Sequence, residues 1–227
     1  MKAKYSSFLD EASGKIGSVV ASTGRGGAYL RARVVPFNPR SVDQVTARAR
    51  LTTFAQGWSA LTENQRTQWN AAVDGWKSTD VFGMKVTPSG INLYVALNTN
   101  LAIIGVAAIS VPPAITAVPV LTSLAATQVH AGATAIQFAP SPLTAGAAYV
   151  IAASAPMSAG RNFAKGSYRF IKHIAAGVTT PQVITTEYNA KFGGPGTAGQ
   201  KVFVKVYGVD IVTGRKGAEV TCVAVVS

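Results

Sequence analysis

Glycines interrupt the first run of apolar residues and mark a turn. Ile16-Gly17-Ser18-Val19-Val20-Ala21 leads into Thr23-Gly24-Arg25-Gly26-Gly27, and Ala28-Tyr29-Leu30-Arg31-Ala32-Arg33-Val34-Val35 follows. Two β-prone runs around a glycine cluster predict a hairpin over residues 14–37, because glycine reaches the positive φ values that tight turns need. On the second run Tyr29, Arg31 and Arg33 share one face, and Leu30, Ala32 and Val34 share the other. Pro36 and Asn38-Pro39 end it, since proline brings no donor to a ladder.

The spacing then becomes helical. Over 42–58 the apolar residues Ala47, Leu51, Phe54 and Trp58 fall on one stripe, which predicts a helix burying that face. Thr62-Glu63-Asn64-Gln65 has the pattern of a capping box, so a second helix begins there and runs to residue 75, with Trp69, Val73 and Trp76 in register. The short Ser59-Ala60-Leu61 link makes the two an antiparallel helical pair. Ser89 is the expected N-cap of a third helix over 90–104, stopped by Gly105.

After an uncharged stretch with Pro112, Pro113 and Pro119, the period drops to two. Ala135 to Phe138, Tyr149 to Ala153, Tyr168 to Ile171, Lys201 to Tyr207 and Thr221 to Val226 are strand candidates. Turn clusters separate them at Pro140-Ser141-Pro142, Gly193-Gly194-Pro195-Gly196 and Thr213-Gly214-Arg215-Lys216-Gly217. About seven short strands in roughly 110 residues predict an antiparallel β-sandwich. The expected class is α+β. Residues 1–110 form a hairpin arm with a small helical assembly region, 111–119 a proline-bearing linker, and 120–227 the sandwich.

Composition narrows the function. Of 227 residues 48% are hydrophobic and 13% charged, and mean hydropathy is +0.26, so the chain has apolar surface enough for real cores. A single cysteine, Cys222, excludes an intrachain disulfide, and two histidines leave no His/Cys zinc set. The longest greasy stretch, from Leu101 to Val111, is shorter than the roughly 20 residues a membrane span needs. The start, Met1-Lys2-Ala3-Lys4, has no apolar run behind it, so no signal peptide is expected. The expectation is synthesis in a cytoplasm without membrane insertion.

Two segments together carry a family resemblance. Asn38-Pro39-Arg40-Ser41, followed by Gln44, Arg48 and Arg50, resembles an "NPRT…Q…R" motif, which continues into Phe54, Trp58, Gln65-Arg66 and Trp69-Asn70. Gly90-Ile91-Asn92-Leu93-Tyr94 with Asn98 and Asn100-Leu101 resembles a second segment found in the same order. This order resembles bacteriophage and prophage proteins of uncharacterised role. The paired runs around Asp210-Ile211-Val212-Thr213-Gly214 are similar to the last hairpin of fibronectin type III domains. The resemblance implies a virion or tail structural component with an immunoglobulin- or fibronectin-like sandwich. It brings no site residues with it.

Charge supplies the candidate surface. Net charge is +12, with nine Lys/Arg against three acids in residues 1–50, three against three in 51–110, and nine against three in 111–227. Arg25, Arg31, Arg33, Arg40, Arg48 and Arg50 form a candidate strip for an interface or a polyanion. Arginine is favoured at protein interfaces, which ranks a protein partner first; phosphate contacts with nucleic acid and plain solvated charge are the other readings. Trp58, Trp69 and Trp76 could stack bases, but their helical spacing favours a core. Tyr149, Tyr168, Tyr188 and Phe192 are glycan-binding candidates and equally core candidates.

Raw material for catalysis is scarce. His130 and His173 lack neighbours at ligand spacing, and the acids are scattered. Glu63 belongs to a helix start and Asp210 to a turn. No nucleophile elbow or phosphate-binding loop occurs; Ala164-Lys165-Gly166-Ser167 has its lysine and serine in the wrong order for one. The expected protein is therefore a structural subunit, without catalytic residues, cofactor or metal, contacting copies of itself and other virion proteins. A nucleic-acid-binding accessory protein and a receptor- or glycan-binding module are the alternatives.

Overall fold

The computed structural model describes residues 12–24, 27–79, 84–118, 120–130, 132–139 and 143–227. Contacts divide the chain into two compact units, Met1–Val45 and Thr46–Ser227.

In the first unit the expected hairpin is a three-stranded antiparallel meander. Strands β1 (Gly14–Ile16), β2 (Val19–Gly24) and β3 (Gly27–Ala32) pair in sequence order, with Val20 opposite Arg31 and Ala21 opposite Leu30. The extra strand arises because Gly17 turns the chain at φ +59°, a conformation costly for other residues. β3 stops at Ala32, short of the expected Val35, and residues 33–41 hold no regular structure. Among the described residues Ala21 is the unit's only buried apolar side chain.

Helix α1 (Val42–Ala60) crosses from one unit to the other. Its predicted stripe is only half covered. Phe54 and Trp58 pack against a helical core, whereas Ala47 is exposed and Leu51 is 56% exposed, and no residue of the helix is fully buried. Leu51 instead lines an open apolar groove with Ala55, Ile91 and Val95.

The rest of the helical cluster follows its sequence signals. Helix α2 (Glu63–Ala72) starts in the Thr62 capping box: the Gln65 amide donates to Thr62 Oγ1 (3.3 Å) and the Thr62 amide to Gln65 Oε1 (2.9 Å). A 3₁₀ turn, Val73–Trp76, extends it. Strands β4 (Ser78–Thr79) and β5 (Lys85–Val86) form a minimal ladder before helix α3 (Gly90–Ile103), capped by Ser89. Trp69 is fully buried between Tyr94, edge-on at 5.4 Å, and the Ser110 carbonyl, which accepts its indole N–H at 3.0 Å.

Asparagines of the Gly90–Leu101 segment do structural work. Asn98, fully buried, donates to the carbonyls of Tyr94 (3.0 Å) and Ile109 (3.2 Å) and accepts the Ile109 amide (2.7 Å), so one side chain fastens the chain returning from α3. Asn100 donates to the Gly214 carbonyl at 2.9 Å. Gly90 lies so close to Asn70 that a Cβ there would collide with its side chain.

The remaining strands build two antiparallel sheets. One has the order β10 (Gln182–Val183), β7 (Thr134–Ala139), β6 (Ser123–Gln128). The other runs β12 (Lys216–Val225), β11 (Lys201–Asp210), β8 (Ala147–Ala153), β9 (Arg169–Ile174). Ile136 and Phe138 of the first sheet share a core with Tyr149, Ile151, Val204 and Val206 of the second, and helix α4 (Thr185–Phe192) adds Tyr188. A parallel bridge between Gln128 and Val226 joins the edges of β6 and β12. The expected Pro140-Ser141-Pro142 turn lies outside the described residues, as does Pro119.

Every residue of β8 is buried, because both its faces are covered. Its odd-numbered side chains enter the core just described, and Ala148 and Val150 pack with Val209 under Leu101 and Ile104 at the end of α3. This contact packs the end of α3 against the sheet within the second unit, Thr46–Ser227. Among the described residues no helix is long and apolar enough to cross a membrane.

Candidate functional site

The six candidate arginines do not sit on one element. Arg25 lies outside the described residues. Arg31, Arg33 and Arg40 are exposed in the first unit, Arg31 on β3 and the other two on the irregular segment. Arg40 has φ +47°, a left-handed conformation unusual for a non-glycine residue, with its amide donating to Asn38 Oδ1 at 3.3 Å. Arg48 and Arg50 belong to the second unit, on α1.

Around these arginines the first unit exposes its greasy residues. Ile16 is 69% exposed, Val34 71%, Val35 73%, Phe37 88% and Val42 81%. Prolines at 36 and 39 restrict the backbone of this segment and withhold two donors. Such a run gains stability only when another surface covers it.

Arg50 leads to a second feature. Where the outer face of the four-stranded sheet meets the helices, a groove of about 200 Å³ opens. Its floor is apolar: Val150 and Ala152 of β8 and Ile103 of α3. Tyr168 and Phe170 line it from the β9 side, and Tyr207 from β11. The cations are Arg50 from α1, Lys205 from β11 and Lys216 from β12.

Antiparallel register explains why these side chains meet. Lys205 pairs with Ala152 and Tyr207 with Val150, so alternate residues of β11 project to the same outer face. The Lys205 ammonium lies 5.0 Å from the Tyr168 ring centre and that of Lys216 4.2 Å from the Tyr207 ring, so both cations are held over aromatic faces. Glu219 on β12 pairs with both lysines, at 3.1 Å to Lys205. The Lys216 hydrogen bond, supported by Lys205, holds the Glu219 carboxyl below the usual carboxylate range against the opposing effect of burial. Burial and the nearby Glu219 charge push the Tyr207 phenol up. Three groove cations against one carboxylate leave two positive charges.

Other candidates fall into the packing. Trp69 is core, and Trp58 and Trp76 pack half-buried against the same cluster. Tyr149 and Tyr188 are fully buried, and Phe192 packs on Tyr188 with ring centres 4.9 Å apart. Of the four glycan candidates Tyr168 alone lines the groove. Burial pushes the Cys222 thiol up to about 11, which removes its nucleophilic form at neutral pH.

Asp210 is a turn staple. Its Oδ1 accepts the amides of Val212 (2.7 Å) and Thr213 (2.9 Å), and its other oxygen takes the Thr116 hydroxyl. Burial works to raise this carboxyl, but those hydrogen bonds outweigh it and leave the group below its ordinary range. Among the described residues no three His, Cys, Asp or Glu side chains gather to hold a metal ion.

The groove escapes sequence reading because its residues come from positions 50, 103, 150–152, 168–170 and 205–216. The one local signal is the outward alternation of Lys205 and Tyr207. No protein-family model, curated protein or solved structure matches the chain.

Proposed function

We propose that this chain is a structural subunit of a bacteriophage-type particle, built into virion or tail by protein–protein contacts, with the first unit and its irregular segment 33–41 as the assembly arm. The observation that carries the reading is the exposure of Val34, Val35 and Phe37 (71%, 73% and 88%) on backbone without regular structure. A run of large apolar side chains left in solvent is the kind of surface that a neighbouring subunit covers. A second copy or a companion protein would cover these residues, and Arg31, Arg33 and Arg40 would frame the contact.

The two sheets, with orders β10-β7-β6 and β12-β11-β8-β9 around one core, support reading this part as a fibronectin-like sandwich that serves as a projecting or docking module. In this reading the protein is made in a host cytoplasm and ends in the virion.

Light scattering on the purified full chain tests the arm. The wild type forms a defined oligomer as concentration rises, and a Val34→Ser/Phe37→Ser variant stays monomeric with an unchanged melting temperature. A wild type that remains monomeric up to its solubility limit, and is absent from purified particles by mass spectrometry, overturns the reading.

A further inference from the structure

We infer that the groove between the outer sheet face and the helices binds a nucleotide unit, with the base against the aromatic wall of Tyr168 and Phe170 and the phosphate facing Arg50, Lys205 and Lys216. This goes beyond the assembly role and does not depend on it.

Three observations carry it. First, the groove joins an apolar floor to a cationic rim, which selects a ligand with one flat apolar part and one anionic part. Phe170 is 42% exposed there, a large aromatic surface that an acidic peptide would leave uncovered and a base would stack on. Second, the lysines are pre-positioned: each lies over a tyrosine ring and against Glu219, so little side-chain freedom remains to be lost on binding. Third, Glu219 is matched twice over by Lys205 and Lys216, while Arg50, which lines the same cavity, has no acidic partner among the described residues. Its guanidinium suits the two-pronged hydrogen bonding of a phosphate. The net charge of +12 favours encounter with a polyanion.

The nucleotide unit could be free or part of a single strand, and one experiment separates these sources. Binding of fluorescein-labelled oligothymidylate to the full chain is followed by anisotropy across a salt series, with thymidine monophosphate and poly-glutamate as competitors. Arg50→Ala and Phe170→Ala are compared with Lys165→Ala, an exposed lysine outside the groove. Phe170→Ala weakens oligonucleotide binding about ten-fold through lost stacking. Arg50→Ala weakens it and flattens the dependence of log affinity on log salt by about 0.7, the value of one single-strand phosphate contact. Lys165→Ala changes neither slope nor stacking. Competition by the monophosphate assigns a free nucleotide, and its failure alongside tight strand binding assigns a single strand. Should Phe170→Ala fold poorly, Arg50→Ala at a half-buried position of α1, outside the hydrophobic cores, still decides the matter. The inference is overturned if the wild type binds neither probe, if all three variants behave alike, or if poly-glutamate competes as well as the oligonucleotide.

Discussion

The two units use the same kind of side chain in opposite ways. In Thr46–Ser227 the large residues Trp69, Leu101, Ile136, Tyr149, Ile151 and Tyr188 are fully buried. In Met1–Val45 the described residues Ile16, Val34, Val35, Phe37 and Val42 are each more than two-thirds exposed, and only Ala21 is buried. Apolar content therefore stabilises a core in one unit and stays exposed among the described residues of the other. Substitutions should separate the two: core changes alter stability, and arm changes alter association.

The largest effect is expected at Trp69. Trp69→Ala empties a fully buried site and orphans the Ser110 carbonyl, costing about 4 kcal/mol in chemical denaturation. A loss under about 1 kcal/mol would mean that the helical cluster is not a packed core.

Asp210→Ala comes next, at about 2–3 kcal/mol near neutral pH, because two amides and a hydroxyl lose a charged acceptor. Its pH dependence has a definite sign. The folded carboxyl is held below its ordinary value, so the unfolded chain binds the proton more readily and stability rises with pH through this range. The gap between wild type and variant is full above the ordinary aspartate value of about 3.9 and closes as pH falls through the lowered folded value. A gap that stays constant down to strong acid would contradict this. Smallest of all is the arm: Val34→Ser/Phe37→Ser shifts stability by less than about 0.5 kcal/mol while abolishing assembly.

Much of the second unit was legible because its signals are local. The Thr62 capping box, the Ser89 cap and the spacing of Trp69 with Val73 and Trp76 depend on neighbours within a turn or two. Strands β7, β8, β9, β11 and β12 betray themselves by alternation or continuous apolar runs. β6, with its small and polar Ser123, Ala125 and Thr127, does not, and the two-residue β10 is too short for any period. Helix α4 buries Tyr188 alone and so lacks a stripe. The half-covered face of α1 marks a deeper limit. Periodicity identifies an apolar face at Ala47 and Leu51 without telling whether the same chain covers it. The groove is harder still, since strand pairing assembles it from distant positions.

Amide hydrogen exchange at Val34, Val35 and Phe37, compared between dilute monomer and assembled protein, tests the assembly arm most directly. Fast exchange is expected in the monomer and strong protection after assembly, with the amides of β8 protected throughout. Equally fast exchange of the three arm amides in a fully assembled particle would contradict it.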